Sequence, residues 1–149
     1  MKNKLIKRFF DITIAHILFI IILPLIAIIY MIVLIGLWKP AIFKQARPGL
    51  YGRPYNIYKF RTMRNLKDRN GNLLTDDKRL TGFRKFLIRA SLYELPVLWN
   101  VLKGNMSLVG PRPLLIKYLD RYTPEQARGH EVKPGITGWA QINGRNAIS

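Results

Sequence analysis

Apolar residues are concentrated in one long run near the N-terminus, and charged residues flank it on both sides. From Ile12 to Trp38 no residue carries a formal charge. A run of more than about 18 apolar residues is typical of a membrane helix. The run is longer than the roughly 7–15 residues of a signal-peptide core, and no small-x-small cleavage site follows it. The pattern therefore predicts a membrane helix within residues 1–40.

Pro24 and the basic flanks leave two topologies open. Pro24 lies near the middle of the run, where it removes a helical hydrogen bond and kinks a helix. Basic flanks prefer the cytoplasm. A helix that enters the membrane, breaks at Pro24 and returns keeps both flanks inside, and each half is shorter than the roughly 30 Å hydrocarbon core. The alternative is a kinked single span, since prolines are tolerated in spans.

Residues 41–63 alternate between turn residues and strand formers. Prolines and glycines at 48–49 and 52–54 supply turn chemistry, and residues 55–60 are rich in strand-forming side chains. This pattern predicts a β-hairpin. Lys59 and Arg61 fall on one strand face by the period of two, either as a solvated basic edge or as a binding site for phosphate.

A polar loop and a short amphipathic helix are predicted to follow. Residues 64–79 form the predicted loop, with a turn at Asn70-Gly71. Residues 80–90 place apolar and basic side chains on opposite helical faces. The apolar positions are Phe83, Phe86, Leu87 and Ala90, and the basic ones are Arg84, Lys85 and Arg89. Such a helix beside a membrane anchor is predicted to lie in the interface, and the alternative is a surface helix packed on the core.

Glu94 has two interpretations. Ser91-x-x-Glu94 before an apolar run matches a helix capping box. Pro96 opposes that assignment, because it would clash with the preceding turn, and it is better placed as the first helical residue. Glu94 then lies just outside a helix N-terminus, where partial positive charge favours anions. A cap and a functional carboxylate both stay open.

Two arginines in distinctive settings are candidate ligands for phosphate. Pro111 and Pro113 fix the backbone on both sides of Arg112, and a held guanidinium suits bidentate binding of phosphate. Residues 133–146 contain three glycines and Arg145, which suits a loop that closely approaches a ligand. His130 is isolated in the sequence, and we interpret it as structural.

Charge restricts the class of partner. The chain of 149 residues contains 25 Lys and Arg against 8 Asp and Glu, which is a formal charge of +17. This excess indicates a polyanionic partner, either nucleic acid, an anionic membrane or a phosphorylated substrate. The basic residues are spread along the chain rather than concentrated in one recognition element, so a nucleic-acid binder is not predicted. The absence of cysteine excludes disulfides and thiolate metal sites.

The motifs together resemble those of the small monotopic phosphoglycosyl transferases, a family of bacterial sugar transferases. The resemblance runs nearly end to end. It rests on the basic flank and apolar helix with its central proline, and on the segments QARPGL, YKFRTM, TDDKR, SLYELPVLWNVLKGNMSLVGPRPLL and KPGITGWAQINGRN. It implies an α+β fold, with a re-entrant helix-break-helix in residues 1–40. A small domain at the cytoplasmic face follows in residues 41–149, with a β-hairpin and interfacial amphipathic helices.

The resemblance also implies an activity. Members transfer a phosphosugar from a UDP-sugar to polyprenyl phosphate, at the cytoplasmic face of the bacterial inner membrane, and so begin glycoconjugate or polysaccharide assembly. They are associated with an anionic lipid bilayer, and they use Mg²⁺. By resemblance, Glu94 is associated with the metal, while Lys59, Arg61, Arg145 and the Pro111-Arg112-Pro113 segment bind substrate phosphates. Which UDP-sugar enters and the oligomeric state do not follow from the sequence.

The sequence departs from the family pattern at three places. Tyr93 stands where the family has the aspartate that attacks phosphorus, Asn105 stands where aspartate is common, and the chain is expected to be C-terminally short. An ordinary tyrosine with a pKa near 10 must lose its proton before it attacks, at a cost of roughly 4 kcal/mol at neutral pH. Three outcomes follow: little or no turnover, attack by Tyr93, or attack by Glu94. The alternative to an enzyme is an inactive ligand-binding or scaffold member of a polysaccharide pathway.

Overall fold

The fold mixes one long helix with short helices and two small sheets. This computed structural model describes residues 2–37, 40–63, 68, 70–72, 74–75 and 82–143. The α-helices are α1 (Lys2–Leu37), α2 (Gly82–Arg89), α3 (Leu98–Lys103), α4 (Pro124–Ala127) and α5 (Trp139–Ile142). The strands are β1 (Ile42–Pro48), β2 (Pro54–Phe60), β3 (Ser107–Val109) and β4 (Gly135–Thr137). Short 3-10 helices cover Leu50–Gly52, Leu92–Val97, Ile116–Arg121 and Arg128–Glu131.

The chain divides into two compact units, each with its own hydrophobic core. Unit 1 contains Met1–Ile22, Lys44–Ile57 and Val97–Ser149, and unit 2 contains Leu23–Phe43 and Tyr58–Pro96. The buried core of unit 1 is formed by Ala15, Ile57, Val97, Leu98, Val101 and Met106. The buried core of unit 2 is formed by Ile29, Val33, Ala41, Phe60 and Leu87. Each core thus includes side chains from one part of α1.

Helix α1 confirms the long apolar helix, but its continuity differs from the predicted helix-break-helix. Lys2–Leu37 is a single helix with Pro24 inside it, rather than two helices separated by a non-helical break. A proline removes one backbone hydrogen bond, and this loss does not require the flanking turns to unwind. Between Lys4 and Gly36 the helix is long and apolar enough to cross a membrane, and most of this stretch is exposed.

The predicted β-hairpin is confirmed. Strands β1 and β2 pair in a two-stranded sheet. At the turn, the Gly49 amide donates to the Arg53 carbonyl at 2.8 Å, and at the open end the Arg61 amide donates to the Ala41 carbonyl at 2.8 Å. Tyr51 adopts φ 55°, an uncommon conformation for a residue with a side chain. Arg61 lies just beyond the end of β2, so only Lys59 of the predicted basic pair is within the strand.

The turn at Asn70-Gly71 is also confirmed within the described residues. The Asp68 carboxylate accepts hydrogen bonds from the Asn70 amide at 2.8 Å and the Asn72 amide at 2.9 Å. Gly71 has φ 83°, the left-handed conformation that glycine adopts without steric cost. Most of the remaining predicted loop lies outside the described residues.

The predicted amphipathic helix forms as α2, but its faces are not those predicted. Leu87 is fully buried, as expected, whereas Phe83, Phe86 and Ala90 are exposed. Arg84, assigned to the polar face, is buried instead with 3% of its surface exposed. A guanidinium is buried when hydrogen bonds or ion pairs replace its water, and helical spacing alone does not reveal such partners.

The described part of the glycine-rich segment 133–146, which was predicted to be a loop, forms β4 and α5. Strand β4 pairs in parallel with β3, and Ser107 is opposite Gly135. A side chain at Gly135 or Gly138 would collide with the backbone of Gly110. These glycines therefore permit a close approach between two backbone segments of the chain.

Candidate functional site

Lys59 and Glu94 form an ion pair within unit 2. Strand β2 carries Lys59, and the 3-10 helix Leu92–Val97 carries Glu94. The Lys59 ammonium donates a hydrogen bond to the Glu94 Oε1 at 2.6 Å. The side chains are 15% and 21% exposed, so the pair is largely withdrawn from water. Lys59 was predicted to bind phosphate, and in this structure its ammonium holds the candidate catalytic carboxylate.

Tyr93 is the third member of this group. Its ring centroid lies 5.1 Å from the Lys59 ammonium, within the range of a cation–π contact. Tyr93 is also half-buried and packs against the core of unit 2. The structure thus brings the predicted catalytic residues Tyr93 and Glu94 together around one cation.

The backbone around Glu94 follows neither predicted helix start. Glu94 donates its amide to the Ser91 carbonyl at 3.1 Å, within a 3-10 helix that begins at Leu92. Ser91 has φ 55° and so is not the extended cap of a capping box. Pro96 lies inside the 3-10 helix, and α3 begins only at Leu98, so the prediction that Pro96 starts the helix was wrong. The tighter 3-10 turns accommodate Pro96 before the regular helix begins.

Pro111, Arg112 and Pro113 belong to unit 1, where they line a cleft of about 120 Å³. Arg112 is exposed, and the Pro113 carbonyl accepts a hydrogen bond from the Arg47 guanidinium at 3.3 Å. His130 lines the same cleft and its ring lies 5.3 Å from that of Tyr122, which agrees with a packing role. Burial raises the pKa of the Tyr122 phenol, which also lines this cleft.

Asn105 lines a second cleft of unit 1, with a volume of about 360 Å³. The Asn105 backbone amide donates to the Asn100 backbone carbonyl at 3.0 Å. Asn105 directly follows Gly104, which ends α3 in the left-handed conformation. Tyr55 also lines this cleft. Its hydroxyl is buried without a hydrogen bond to the described residues, and burial raises the pKa of the phenol. Arg145, the remaining predicted phosphate ligand, lies outside the described residues.

A metal site built from protein side chains alone is not present in the described ranges. These residues contain no group of three or more His, Cys, Asp and Glu that could hold an ion. Glu94 supplies a single carboxylate, and Lys59 already donates to it. Magnesium is commonly held by one or two carboxylates together with substrate phosphates and water. Glu94 is the carboxylate of this group that would contribute to such a site if a phosphorylated substrate brought the ion.

A second polar group was missed by the sequence interpretation. The buried carboxylate of Asp11 accepts hydrogen bonds from the Ser107 hydroxyl at 2.8 Å and the Leu108 amide at 3.2 Å. Lys7 donates to Asp11 at 3.3 Å, to Ser107 and to the Val109 carbonyl at 3.2 Å. These bonds join the start of α1 to β3. The sequence feature that could have revealed this group is Asp11 at the edge of the apolar run. Burying a carboxylate there raises the free energy of the folded state unless a partner is present.

Comparison with known proteins identifies relatives over nearly the whole chain. The family described as "Bacterial sugar transferase" matches residues 2–149. The uncharacterized sugar transferase EpsL of Bacillus subtilis (strain 168) is 55% identical over 145 residues, which are 97% of this chain and 72% of that protein.

Two further relatives have more specific names. The UDP-glucose:undecaprenyl-phosphate glucose-1-phosphate transferase of Escherichia coli (strain K12) is 42% identical over 95% of this chain, but the match covers 32% of that protein. The undecaprenyl-phosphate galactose phosphotransferase of Salmonella typhimurium is 37% identical over 98% of this chain and 34% of its own length. The chain thus spans about a third of these two relatives.

Proposed function

Since the chain belongs to the bacterial sugar transferase family, we propose that it transfers a phosphosugar from a UDP-sugar to polyprenyl phosphate. The observation that carries this proposal is the 42% identity, over 95% of the chain, to a transferase named for UDP-glucose and undecaprenyl phosphate. The product is a polyprenyl diphosphate sugar, the form in which glycoconjugate and polysaccharide assembly begins at a membrane.

The reaction proceeds through a covalent intermediate on the group containing Tyr93 and Glu94. In the first step Tyr93 loses its phenolic proton to solvent, and its oxygen attacks the phosphorus that bears the sugar. The phosphoanhydride bond breaks and UMP leaves with the bonding electrons. In the second step an oxygen of polyprenyl phosphate attacks the same phosphorus, and the bond to Tyr93 breaks. No oxidant or reductant is needed.

Tyr93 makes the first step slow. An aspartate is ionised at neutral pH, whereas an ordinary tyrosine loses its proton only near pH 10, and this difference costs roughly 4 kcal/mol. The Lys59 ammonium lies 5.1 Å from the centroid of the Tyr93 ring. Lys59 also donates to Glu94, which opposes use of Glu94 as the nucleophile. Of the three alternative outcomes, we expect little or no turnover first. Attack by Tyr93 ranks second, and attack by Glu94 ranks third.

Glu94 is the residue that would hold Mg²⁺, together with the phosphate oxygens of the donor. When bound, the ion neutralises charge on the diphosphate and makes UMP a better leaving group. Lys59, which lies beside Glu94, would contribute a cation for a phosphate oxygen of the donor. Arg61, Arg112 and Arg145 are each proposed to bind a substrate phosphate, and Pro111 and Pro113 limit the backbone freedom of Arg112.

The proposed location is the bacterial inner membrane, with the domain at the cytoplasmic face, and the long apolar helix supports this proposal. The exposed apolar surface of α1 needs a lipid environment, and basic residues on both sides of the run favour a re-entrant course. The exposed Phe83 and Phe86 of α2 suit an interfacial position for that helix.

A non-catalytic binding or scaffold role is the second candidate. The specific observation in its favour is the half-buried Tyr93, which packs on the core of unit 2 at the position where attack would begin. In that case the chain binds UDP-sugar and polyprenyl phosphate without releasing UMP.

Intact mass spectrometry after incubation with UDP-glucose or UDP-galactose and Mg²⁺ distinguishes the candidates. A gain equal to one phosphohexose, stable to hydroxylamine and absent in Tyr93→Phe, supports attack by Tyr93. Binding of UDP-sugar without an adduct or UMP release supports the scaffold. Absence of both binding and UMP release, in the parent and in Tyr93→Asp, contradicts the proposed function.

A further inference from the structure

An aromatic pair joins α1 to α3 within unit 1. The ring centroids of Phe19 and Trp99 are 6.0 Å apart, and the ring planes are inclined by 37°. Phe19 is half-buried against the core of unit 1, whereas Trp99 is 45% exposed. The open part of the indole therefore borders the long apolar run of α1.

The contacts between α1 and α3 fix the direction of α3. The Arg8 guanidinium donates to the Val101 carbonyl at 2.7 Å and the Leu102 carbonyl at 3.0 Å, at the C-terminal end of α3. Trp99, near the start of α3, contacts Phe19 instead. Helix α3 therefore runs antiparallel to this part of α1. Its start lies beside the charge-free run, and its end lies beside the basic start of α1.

The surface on one side of Trp99 is apolar. Ile20 and Ile21 follow Phe19 on α1, and they are 58% and 68% exposed. They belong to the stretch of α1 that is long and apolar enough to cross a membrane. Because Trp99 contacts this helix directly, the cover of its open surface is expected to be the lipid that covers α1.

Polar groups lie close to the same indole. The Lys103 ammonium is 5.7 Å from the centroid of the Trp99 ring, and Lys103 is exposed. His16 precedes Phe19 by three positions, so the two are neighbours on the surface of α1, and His16 is also exposed. Ammonium and imidazole groups are costly in hydrocarbon. Trp99 thus lies where an apolar surface meets groups that need water or lipid headgroups.

We propose that Trp99 is a membrane-interface side chain, with its indole at the boundary between lipid headgroups and acyl chains and with Lys103 on the headgroup side. Tryptophan suits this boundary because it combines a large apolar ring with one N–H donor. The inference rests on the proposed membrane location and not on the transferase reaction. UMP release by the parent chain is measured separately, so either proposal can fail alone.

The test uses the small number of tryptophans in the chain, which are Trp38, Trp99 and Trp139. Trp38→Phe combined with Trp139→Phe leaves Trp99 as the single fluorophore. The control chain has all three tryptophans replaced by phenylalanine and carries Glu125→Trp, because Glu125 is an exposed acid of α4 in the same unit. Both full-length chains are reconstituted in phosphatidylcholine vesicles, and circular dichroism verifies that they are folded. The acyl chains are brominated either near the headgroup or near the methyl end.

Bromine near the headgroup should quench Trp99 fluorescence at least about threefold more than bromine near the methyl end, as expected for a side chain at the boundary. The Glu125→Trp chain should lose less than about a tenth of its fluorescence with either lipid, as expected for an exposed position in water. Lys103→Leu in the Trp99 chain should reduce the preference for the headgroup position about twofold, because the side chain no longer holds a charge in the polar layer. An unchanged preference overturns the role of Lys103.

Three results would overturn the position of Trp99. Stronger quenching from the methyl end places the indole in the acyl interior. Quenching by aqueous iodide without quenching by either lipid places it in water, and the absence of all three shows that a protein partner or a second copy covers it. Equal quenching of the Glu125→Trp chain overturns a specific position for Trp99.

Discussion

The Lys59 ammonium and the Glu94 carboxylate are joined by a hydrogen bond of 2.6 Å, and both side chains are largely withdrawn from water. Electrostatic attraction is stronger in such surroundings than at an exposed surface, because less solvent screens the charges. The same ammonium lies 5.1 Å from the centroid of the Tyr93 ring. The charge of Glu94 is therefore balanced by Lys59 before any substrate binds.

Removing Lys59 should destabilise the fold more than removing both members of the pair. Lys59→Met leaves a shielded carboxylate without its cation, and we expect the free energy of unfolding to fall by about 3 kcal/mol. Lys59→Met combined with Glu94→Gln should recover part of this loss. Denaturant titrations of the parent, the two single variants and the double variant measure the coupling.

Arg128 and Glu131 provide the control for this cycle. Their side chains are 76% and 61% exposed and their charged atoms are 3.8 Å apart. Arg128→Ala should change the free energy of unfolding by less than about 1 kcal/mol. If the Lys59 and Glu94 substitutions prove additive, the ion pair has no special role in stability.

Replacing Tyr93 with aspartate should raise the rate of phosphosugar transfer by orders of magnitude. The ionisation cost of roughly 4 kcal/mol that aspartate avoids corresponds to about a thousandfold in rate. UMP release in the presence of polyprenyl phosphate measures the change. Tyr93→Asn is the matched control for Tyr93→Asp, since asparagine has nearly the same shape as aspartate but lacks the carboxylate. A parent protein that already turns over rapidly and is unaffected by Tyr93→Phe would exclude Tyr93 as the nucleophile.

Arg112→Lys should weaken binding of the UDP-sugar although the charge is retained. The planar guanidinium can hold two phosphate oxygens at once, and the lysine ammonium lacks this geometry. We expect a loss of about tenfold in affinity, measured by equilibrium binding. Arg128→Lys, at an exposed position of the same unit, should leave the affinity unchanged. An unaltered affinity in Arg112→Lys would assign that residue a structural role.

The course of α1 can be tested by cysteine labelling, because the chain has no native cysteine. Asn3→Cys and Lys44→Cys should show the same accessibility to an impermeant thiol reagent in sealed vesicles, if both ends of the helix are cytoplasmic. Pro24→Leu restores a helical hydrogen bond and should shift the population toward opposite labelling. Opposite labelling in the parent protein would support a single span instead.

The contribution of Lys133 to the free energy of unfolding should change with pH in the alkaline range. Burial and neighbouring cations lower the pKa of this lysine in the folded protein. In the pH range between that lowered pKa and the ordinary value of 10.5, the unfolded chain binds more protons at this residue. The free energy of unfolding of the parent, relative to Lys133→Met, should therefore rise with pH across this range. Denaturant titrations at several pH values measure the difference, and a difference that does not vary with pH would contradict a desolvated Lys133.

Local patterns determined much of the fold from the sequence alone. The apolar run predicts α1 because a helix of that length needs only intrahelical hydrogen bonds and an apolar environment. Alternation and turn residues predict the hairpin of β1 and β2, and Asn70-Gly71 predicts a tight turn. The motifs also indicate the family, because their residue types and order extend along nearly the whole chain.

Tertiary contacts between distant residues decided what the sequence left open. Lys59 and Glu94 are 35 positions apart, and no periodicity joins a strand residue to a particular turn of a 3-10 helix. Arg84 is buried although helical spacing assigned it to the polar face. Gly135 and Gly138 approach the backbone of Gly110, a segment about 25 positions away in the sequence. Each result depends on which segments meet in space, because hydrogen bonding, desolvation and steric contact are set by neighbours that sequence separation does not specify.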